Sequence, residues 1–283
     1  MASTKVLITV KTYPTLSKKY GELVCTAGFR EDGSWIRIYP IPFRKLEYEQ
    51  RYKKYQWIEI DLVKNKSDFR PESYKPTSGG LDFKTLDTIG TENLWQKRKD
   101  LALKKVYTNL VVLIEEAKNK QICTSLAVFK PKEVIDFKIE QVSRDWDEEK
   151  LADLEAKSKQ LNLFETSESP FIVVNKLPYK FSYKFIDEND KESTMMIEDW
   201  EIGALYWNCL KRHEGNEAKA CEDVKKKYFD DFAKTKDLHL FLGTTQLHHY
   251  VAPNPFIIIG TFHPKKEELK TRAEYNEPTL FDF

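Results

Sequence analysis

The sequence lacks the short patterns that identify common enzymes and metal sites. It has no G-x-x-x-x-G-K-[ST], G-x-G-x-x-G, G-x-S-x-G or H-E-x-x-H segment, so the usual nucleotide-binding, hydrolase and metalloprotease signatures are absent. Cysteine is scarce, and the four cysteines form no C-x-x-C pair; they are Cys25, Cys123, Cys209 and Cys221. Three of them stand in apolar or amphipathic runs, which predicts small buried side chains rather than disulfides or zinc ligands. No cofactor is expected.

Long hydrophobic runs are missing as well. No apolar stretch approaches the about 18 residues that a membrane-spanning helix needs. The first residues have no apolar core of the kind found in secretory signals. We therefore expect a cytoplasmic protein without a membrane partner.

Charge of both signs is abundant but unevenly distributed. The 283 residues carry 46 Lys+Arg and 45 Asp+Glu, for a net charge of +1. Residues 1–141 hold 26 of the basic and 18 of the acidic residues, whereas residues 142–283 hold 20 and 27. A basic half joined to an acidic half indicates that the first half faces a polyanion. The same counts also fit two ordinary solvated surfaces.

The N-terminal half is predicted to be rich in strands. The β-branched or alternating runs that predict strands are 5–12, 22–29, 35–39 and 57–63. Short strands with tight turns favour a small antiparallel barrel. A loop is expected over 64–80 and one helix over 93–118, followed by strands at 124–129 and 134–139. This β-barrel-like domain is predicted to span residues 1–143.

The rest of the chain predicts a second α+β domain. Residues 144–170 form a polar helix and connector, residues 171–263 form the acidic domain, and residues 264–283 form a tail. Asp199 is placed to cap a helix over 200–213, and a second helix is expected over 217–234. Strands are expected at 171–174, 180–186, 193–197, 238–244 and 255–262. The predicted fold class is therefore α+β, with two domains joined by a connector.

One short peptide in the connector carries a specific signal. Gln160, Leu161, Asn162, Leu163 and Phe164 resemble the peptide by which bacterial polymerases and repair proteins dock on the ring-shaped DNA sliding clamp. The resemblance implies that the apolar side chains fill a preformed pocket while the Gln amide hydrogen-bonds to its rim. It covers five residues, so it implies a partner and neither a fold nor a reaction. The alternative is that these side chains end the preceding helix and pack on a domain.

Cations and aromatic rings alternate along the N-terminal half. Small barrels bind single strands by stacking bases on exposed rings while Lys and Arg neutralise phosphates. Arg37 is expected on the polar face of its strand, opposite Ile36 and Ile38. The predicted nucleic-acid-binding residues are Lys18, Lys19, Tyr20, Arg37, Tyr39, Arg44, Arg51, Lys53, Lys54, Tyr55 and Arg70. Alternatively, the tyrosines belong to the core and the lysines are solvent charges.

These patterns favour a nucleic-acid-binding accessory protein, with DNA ahead of RNA, over an enzyme. A metal-dependent nuclease is the alternative, because Asp82 with Lys84, and Asp136 with Lys138, have a spacing that puts an acid and a lysine on one strand face. Glu59 and Asp61 share a face in the same way. The late histidines are a further candidate for acid–base work; they are His239, His248, His249 and His263. A protein–protein adaptor is the second alternative.

Overall fold

Three β-sheets and four α-helices make up the part of the chain that the structure, a computed structural model, describes. The described residues are 3–17, 21–41, 46, 51–77, 82–149, 151–152 and 173–267. The mixed α+β class predicted from the sequence is confirmed. None of the helices in these ranges is both long and apolar enough to cross a membrane.

The first sheet is a curled, mostly antiparallel half-barrel. Its strand order is β6-β7-β4-β3-β1-β5-β8, and β2 pairs with β3. The strands are β1 Thr4–Lys11, β2 Thr15–Ser17, β3 Gly21–Phe29, β4 Trp35–Ile41, β5 Gln56–Ile60, β6 Leu62–Lys64, β7 Ser73–Pro76 and β8 Phe83–Thr88. The β4–β7 pair is parallel.

Both faces of this sheet are covered, which explains why five consecutive residues of its central strand β1, Val6 to Val10, are buried and all but Thr9 are apolar. Along β1, Val6 and Ile8 point into the core enclosed by the curl. Leu7 points outwards, where it joins a second core that includes Phe241 and Phe262. The outer face of the barrel is therefore packed against the C-terminal part of the chain rather than exposed to solvent.

The second sheet has the order β15-β14-β10-β9, and the third has the order β11-β12-β13. Their strands are β9 Val106–Tyr107, β10 Leu126–Phe129, β11 Glu133–Gln141, β12 Tyr179–Ile186, β13 Glu192–Met196, β14 His239–Thr244 and β15 Phe256–Phe262. The helices are α1 Glu92–Ala102, α2 Leu110–Lys118, α3 Trp200–Arg212 and α4 Glu217–Lys225, and α4 continues into a π-helical segment, Lys226–Ala233.

Two strand pairs join the two predicted domains. β10 lies before residue 143 but pairs with β14, and β11 pairs with β12. A mixed core of aromatic and aliphatic side chains then fills the space between these sheets, α2, α3 and α4. The division of the chain into a domain of residues 1–143 and a domain of residues 171–263 stays a prediction.

Several predicted elements are confirmed and several are wrong. Asp199 caps α3 as expected, because its carboxylate accepts a hydrogen bond from the Glu201 N–H. The single helix predicted over 93–118 is wrong, since Val106–Tyr107 leaves the helical path to pair with β10. The loop predicted over 64–80 contains β7, and residues 173–174 lack the strand predicted for them.

Candidate nucleic-acid interface and a polar pocket

The predicted nucleic-acid-binding residues are scattered over the molecule. Arg51 and Lys53 are exposed, and Tyr39 is half-buried. Lys18, Lys19, Tyr20 and Arg44 lie outside the described residues, as do the clamp-like residues Gln160, Leu161, Leu163 and Phe164. The structure does not bring the described members of the set to one surface.

Arg37 is buried, and its expected exposure on a polar strand face is wrong. Its side chain is 2% exposed, because the outer face of β4 is covered by the second sheet. The guanidinium donates hydrogen bonds to Ser125 Oγ at 2.8 Å and to the Ser125 carbonyl at 3.1 Å. The Ser125 hydroxyl in turn donates to Glu72 Oε2 at 2.7 Å. Arg37 therefore ties the barrel to β10 and has no free donor face for a phosphate.

Arg70 is buried for a similar reason. It forms a bidentate pair with Asp68, with distances of 2.9 Å from Nε to Oδ1 and 2.6 Å from Nη2 to Oδ2. Its Nη1 donates to the carbonyl of Thr244 at the end of β14. Burial raises the pKa of Asp68, but hydrogen bonds from Arg70 and Ser73 lower it further and hold it at about 2. Arg70 thus fastens the loop after β6 to the second sheet.

The most exposed apolar surface lies on three loops that meet in space. Five of the eight exposed large hydrophobic side chains among the described residues are found there: Phe69, Ile122, Leu247, Tyr250 and Val251. We call these five residues the aromatic loop surface. Single exposed apolar residues are ordinary, whereas a cluster of them marks a contact site.

Aromatic stacking holds this surface together. The rings of Phe69 and Tyr250 stack with centroids 4.9 Å apart and an interplanar angle of 23°. Phe69 is 47% exposed and Tyr250 38% exposed. The Tyr250 hydroxyl donates to Cys123 Sγ at 3.3 Å, which places the turn containing Ile122 beside the rings. The platform is therefore both ordered and open to solvent.

Three exposed lysines flank the aromatic loop surface: Lys66, Lys118 and Lys120. None of them forms an ion pair or side-chain hydrogen bond with another described residue. Other exposed lysines of the described residues, such as Lys84 and Lys138, are unpaired too, whereas Lys130 and Lys132 pair with Asp237 and Asp190. Asp68 and Arg70 of these loops neutralise each other, and the Glu72 carboxylate accepts hydrogen bonds from the Ser125 N–H and hydroxyl. The surface is therefore apolar at its centre and positively charged at its edge.

Cys123 and His249 lie under this surface, close enough together to resemble a catalytic pair of a thiol nucleophile and a general base. Their Sγ and Nε2 atoms are 3.5 Å apart. However, Nε2 is 2.7 Å from the carbonyl of Ala117, to which it can only donate, and Nδ1 is 2.8 Å from the Thr244 hydroxyl. Burial lowers the pKa of His249, so the ring is neutral, with its proton on Nε2. This ring cannot take the thiol proton, and the arrangement is a structural one.

The two other predicted residues, Lys54 and Tyr55, line a cavity of about 410 Å³ that we call the Tyr55 pocket. Tyr55 was expected to be exposed, but it is 5% exposed. Other walls of the pocket are provided by Trp95 and Arg98 from α1, Glu201 from α3, Lys227 from the π-helical segment and His263 after β15. Cavities of this size are typical of small-molecule sites.

Arg98 has an unusual position in the Tyr55 pocket. It is 8% exposed, and its guanidinium carbon lies 3.8 Å from the centre of the Tyr55 ring and 4.8 Å from that of Trp95. Nε and Nη2 both donate to the Ile89 carbonyl, at 3.0 and 2.6 Å. No carboxylate of the described residues pairs with it. Burial lowers the pKa of Arg98, and the charges of Glu92 and Glu201 raise it only from beyond ion-pair distance. A buried cation with no counter-ion in contact is costly, so this site favours an anion.

Tyr55 is held in the left-handed backbone region with φ of 62°, and Trp95, with φ of 67°, ends a left-handed run that begins at Asn93 near the start of α1. Non-glycine residues occupy this region at a cost of about 1–3 kcal/mol, and such residues cluster at functional sites. The Tyr55 hydroxyl is also buried without a hydrogen-bond partner among the described residues. Tyr55 therefore combines a strained backbone with a buried hydroxyl that lacks a hydrogen-bond partner.

A charged network closes the back of the pocket. Lys54 Nζ lies 2.7 Å from Glu201 Oε2 and 3.4 Å from Asp199 Oδ2. Burial lowers the pKa of Lys54, but the charges of Asp199 and Glu201 outweigh burial and raise this pKa above its usual value. Burial raises the pKa of Asp199 despite the nearby lysine. Burial and the charge of Lys54 lower the pKa of His263 to about 3, so this imidazole is neutral near pH 7.

The residues proposed for a nuclease are not assembled into a site. Among the residues that the structure describes, no three His, Cys, Asp or Glu side chains are grouped to hold a metal ion. The four late histidines also diverge: His239 is buried beside Asp237, His248 is exposed, His249 contacts Ala117, and His263 lines the Tyr55 pocket.

Two family models match the sequence. The protein is a mixed α+β protein with a curled N-terminal sheet, and residues 2–104 match a family model described as Domain of unknown function (DUF8758). Residues 108–282 match the model described as Domain of unknown function (DUF8757). The second match covers more than half of the chain, and the protein belongs to the DUF8757 family. No curated protein matches the sequence.

Proposed function

We propose that this protein binds single-stranded nucleic acid, with DNA as the first candidate, through the aromatic loop surface. The observation that carries the proposal is the exposed Phe69–Tyr250 stack beside three unpaired lysines. Bases stack on exposed rings because every base has a π-face, and lysines neutralise the phosphates between them. Ile122, Leu247 and Val251 extend the apolar area on which sugars and bases pack.

A binding protein fits this surface better than a nuclease does. Its side chains offer stacking and charge, but no carboxylate is free to hold a metal ion or activate water, since Asp68 is occupied by Arg70 and Ser73. A strand bound here lies across loops from both parts of the chain. The protein would act on nucleic acid as an accessory factor in repair, replication control or defence against foreign DNA.

Fluorescence anisotropy with a labelled mixed-sequence DNA strand tests the proposal. Measurements at about 50 and 200 mM salt give the salt dependence, and an RNA strand and a DNA duplex of the same sequence serve as parallel arms. We expect Phe69→Ala to weaken binding about 5- to 150-fold, since one base–aromatic stack contributes about 1–3 kcal/mol. Lys118→Ala with Lys120→Ala should reduce the slope of log affinity against log salt by about two.

The chain offers matched controls for both changes. Val112→Ala removes an apolar side chain that is 43% exposed but lies outside the surface, and Lys130→Ala with Lys132→Ala removes two exposed lysines that have carboxylate partners. Both controls should bind as the parent does. Absence of binding to all three nucleic acids at low salt, or equal affinity of Phe69→Ala and the parent, would contradict the proposal.

We further propose that the peptide Gln160–Phe164 docks on a bacterial sliding clamp. The support for this is its resemblance to clamp-binding peptides, which covers all five positions. Surface plasmon resonance on an immobilised clamp would test it with the double variant Leu163→Ala and Phe164→Ala, which removes the two side chains that fill the pocket. Unchanged binding by that variant would show the motif to be accidental.

A further inference from the structure

We infer that the Tyr55 pocket is a binding site for a nucleoside phosphate, separate from the aromatic loop surface. Three features of its wall indicate a ligand site. The guanidinium of Arg98 has no carboxylate within ion-pair distance among the described residues, and the Tyr55 hydroxyl has no hydrogen-bond partner there. The backbone of Tyr55 and Trp95 is left-handed. The inference does not depend on strand binding at the loops, because the two sites share no residue.

The charges of the pocket identify the acidic end of the ligand. Lys54 is already neutralised by Asp199 and Glu201, whereas Arg98 is stacked on rings and hydrogen-bonded only to a carbonyl. A phosphate next to Arg98 supplies a counter-ion in direct contact, which Glu92 and Glu201 do not. The Tyr55 hydroxyl, which lies on the ring stacked against that guanidinium, can donate to a phosphate oxygen. Charge-assisted hydrogen bonds of this kind are the strong ones.

The remaining walls suit a planar group that carries hydroxyl or amino donors. Phe232 and His263 stack with centroids 3.6 Å apart, and Trp95 lies 5.3 Å from the same imidazole. These rings offer apolar faces to a base. The Glu201 carboxylate is 46% exposed and can accept hydrogen bonds from a sugar hydroxyl or an exocyclic amine, as acidic residues do in dinucleotide sites. A bare phosphate would leave these groups unused.

Isothermal titration calorimetry with the full chain tests this inference. The probes are adenosine, guanosine, cytidine and uridine monophosphates, the matching nucleosides, inorganic phosphate, and one DNA strand with and without a 5′-phosphate. We expect at least one monophosphate to bind more tightly than its nucleoside and than phosphate alone. Tyr55→Phe should weaken that binding about ten-fold, since it removes one hydrogen bond to a charged group.

Two lysines on the same π-helical segment provide a matched pair. Lys227 lines the pocket and pairs with Asp231 four residues on, whereas Lys226 pairs with Glu222 four residues before and is not part of the lining. Lys227→Ala should weaken nucleotide binding and Lys226→Ala should leave it unchanged. Arg98→Met should abolish binding; Tyr55→Phe serves as the variant that keeps the fold.

The outcomes separate the two sources of the nucleotide. Binding of free monophosphates that is weakened by Tyr55→Phe identifies a small-molecule ligand. Binding only of the 5′-phosphorylated strand, with the same sensitivity, identifies a strand end and also supports the inference. If neither probe binds in the millimolar range, or if Lys226→Ala and Lys227→Ala weaken binding equally, the pocket is not such a site, and strand binding by the aromatic loop surface is unaffected.

Discussion

The guanidinium of Arg98 stacks on the ring of Tyr55 at 3.8 Å, which joins the start of the barrel strand β5 to helix α1. The face of the Tyr55 ring compensates part of the charge of Arg98. The Tyr55 hydroxyl, however, has no hydrogen-bond partner among the described residues. The Arg98–Tyr55 pair therefore does not maximise the stability of the ligand-free protein. Substitutions at Tyr55 should separate the stability of the protein from its binding.

Tyr55→Phe should leave the free energy of unfolding unchanged or raise it by about 1 kcal/mol. The variant removes a buried hydroxyl that makes no hydrogen bond, and an unmet buried donor costs about 1–3 kcal/mol. Urea denaturation of the ligand-free protein measures the difference. Tyr183→Phe is the control, because that hydroxyl donates to the Tyr228 carbonyl at 2.6 Å and its removal should destabilise the protein. A loss of stability at Tyr55 equal to that at Tyr183 would contradict the prediction.

Lys54→Met should destabilise the protein by about 3–5 kcal/mol, because it leaves Asp199 buried without its cation. The side chains of Lys54 and Asp199 are 10% and 1% exposed. Adding Asp199→Asn to Lys54→Met should recover part of the loss, since the amide keeps the helix cap and carries no charge. A double-mutant cycle from chemical denaturation gives the coupling. Additive effects of the two changes would show that the pair is not coupled.

Arg37→Met should lower the free energy of unfolding by about 3 kcal/mol without changing nucleic-acid affinity. The variant removes the guanidinium donors to the Ser125 hydroxyl and carbonyl oxygens and the positive charge near Glu72. Lys53→Met is the control, since Lys53 is exposed and surface substitutions usually change stability by about 0.5 kcal/mol or less. Anisotropy should be measured well below the unfolding temperature. Weaker nucleic-acid binding by folded Arg37→Met would contradict the prediction and indicate that Arg37 contributes to the nucleic-acid interface.

His263 should make stability depend on pH below neutrality. Its pKa is about 3 in the folded protein and about 6.5 in the unfolded chain. As the pH falls from about 6.5, the unfolded state binds a proton that the folded state does not, so stability is lost by at most about 1.4 kcal/mol per pH unit from this group. His263→Asn should flatten that dependence between pH 6.5 and 4. Parallel curves for the parent and the variant would refute the assignment.

The strand pattern could be predicted from the sequence because apolar alternation and turn residues are local signals. The same signals failed where partners far along the chain decide the structure. Val106 and Tyr107 continue a helical pattern, yet they pair with Val128 and Phe129. Arg37 sits on the face opposite Ile36 and Ile38 as alternation predicts, but that face is covered by another sheet, which alternation cannot report.

The candidate sites were harder to predict than the fold. The aromatic loop surface brings together Phe69, Ile122 and Tyr250, which come from three separate segments that read individually as polar turns. The only local signal was the presence of large apolar side chains inside such turns. Of the Tyr55 pocket, the sequence indicated Lys54 and Tyr55 through the cation–aromatic pattern, but Trp95, Arg98 and Lys227 could not be joined to them without the tertiary structure.

The pairing of β10 with β14 has a consequence for synthesis of the protein. Phe129 lies opposite Leu240, more than a hundred residues further along the chain, and pairing over such separations is slow because loop closure precedes the contacts that reward it. A nascent chain on the ribosome can complete the half-barrel first, but β10 has no antiparallel neighbour until His239–Thr244 has left the exit tunnel. Until then its four apolar residues present an open edge, which makes this stage of translation the one most exposed to aggregation.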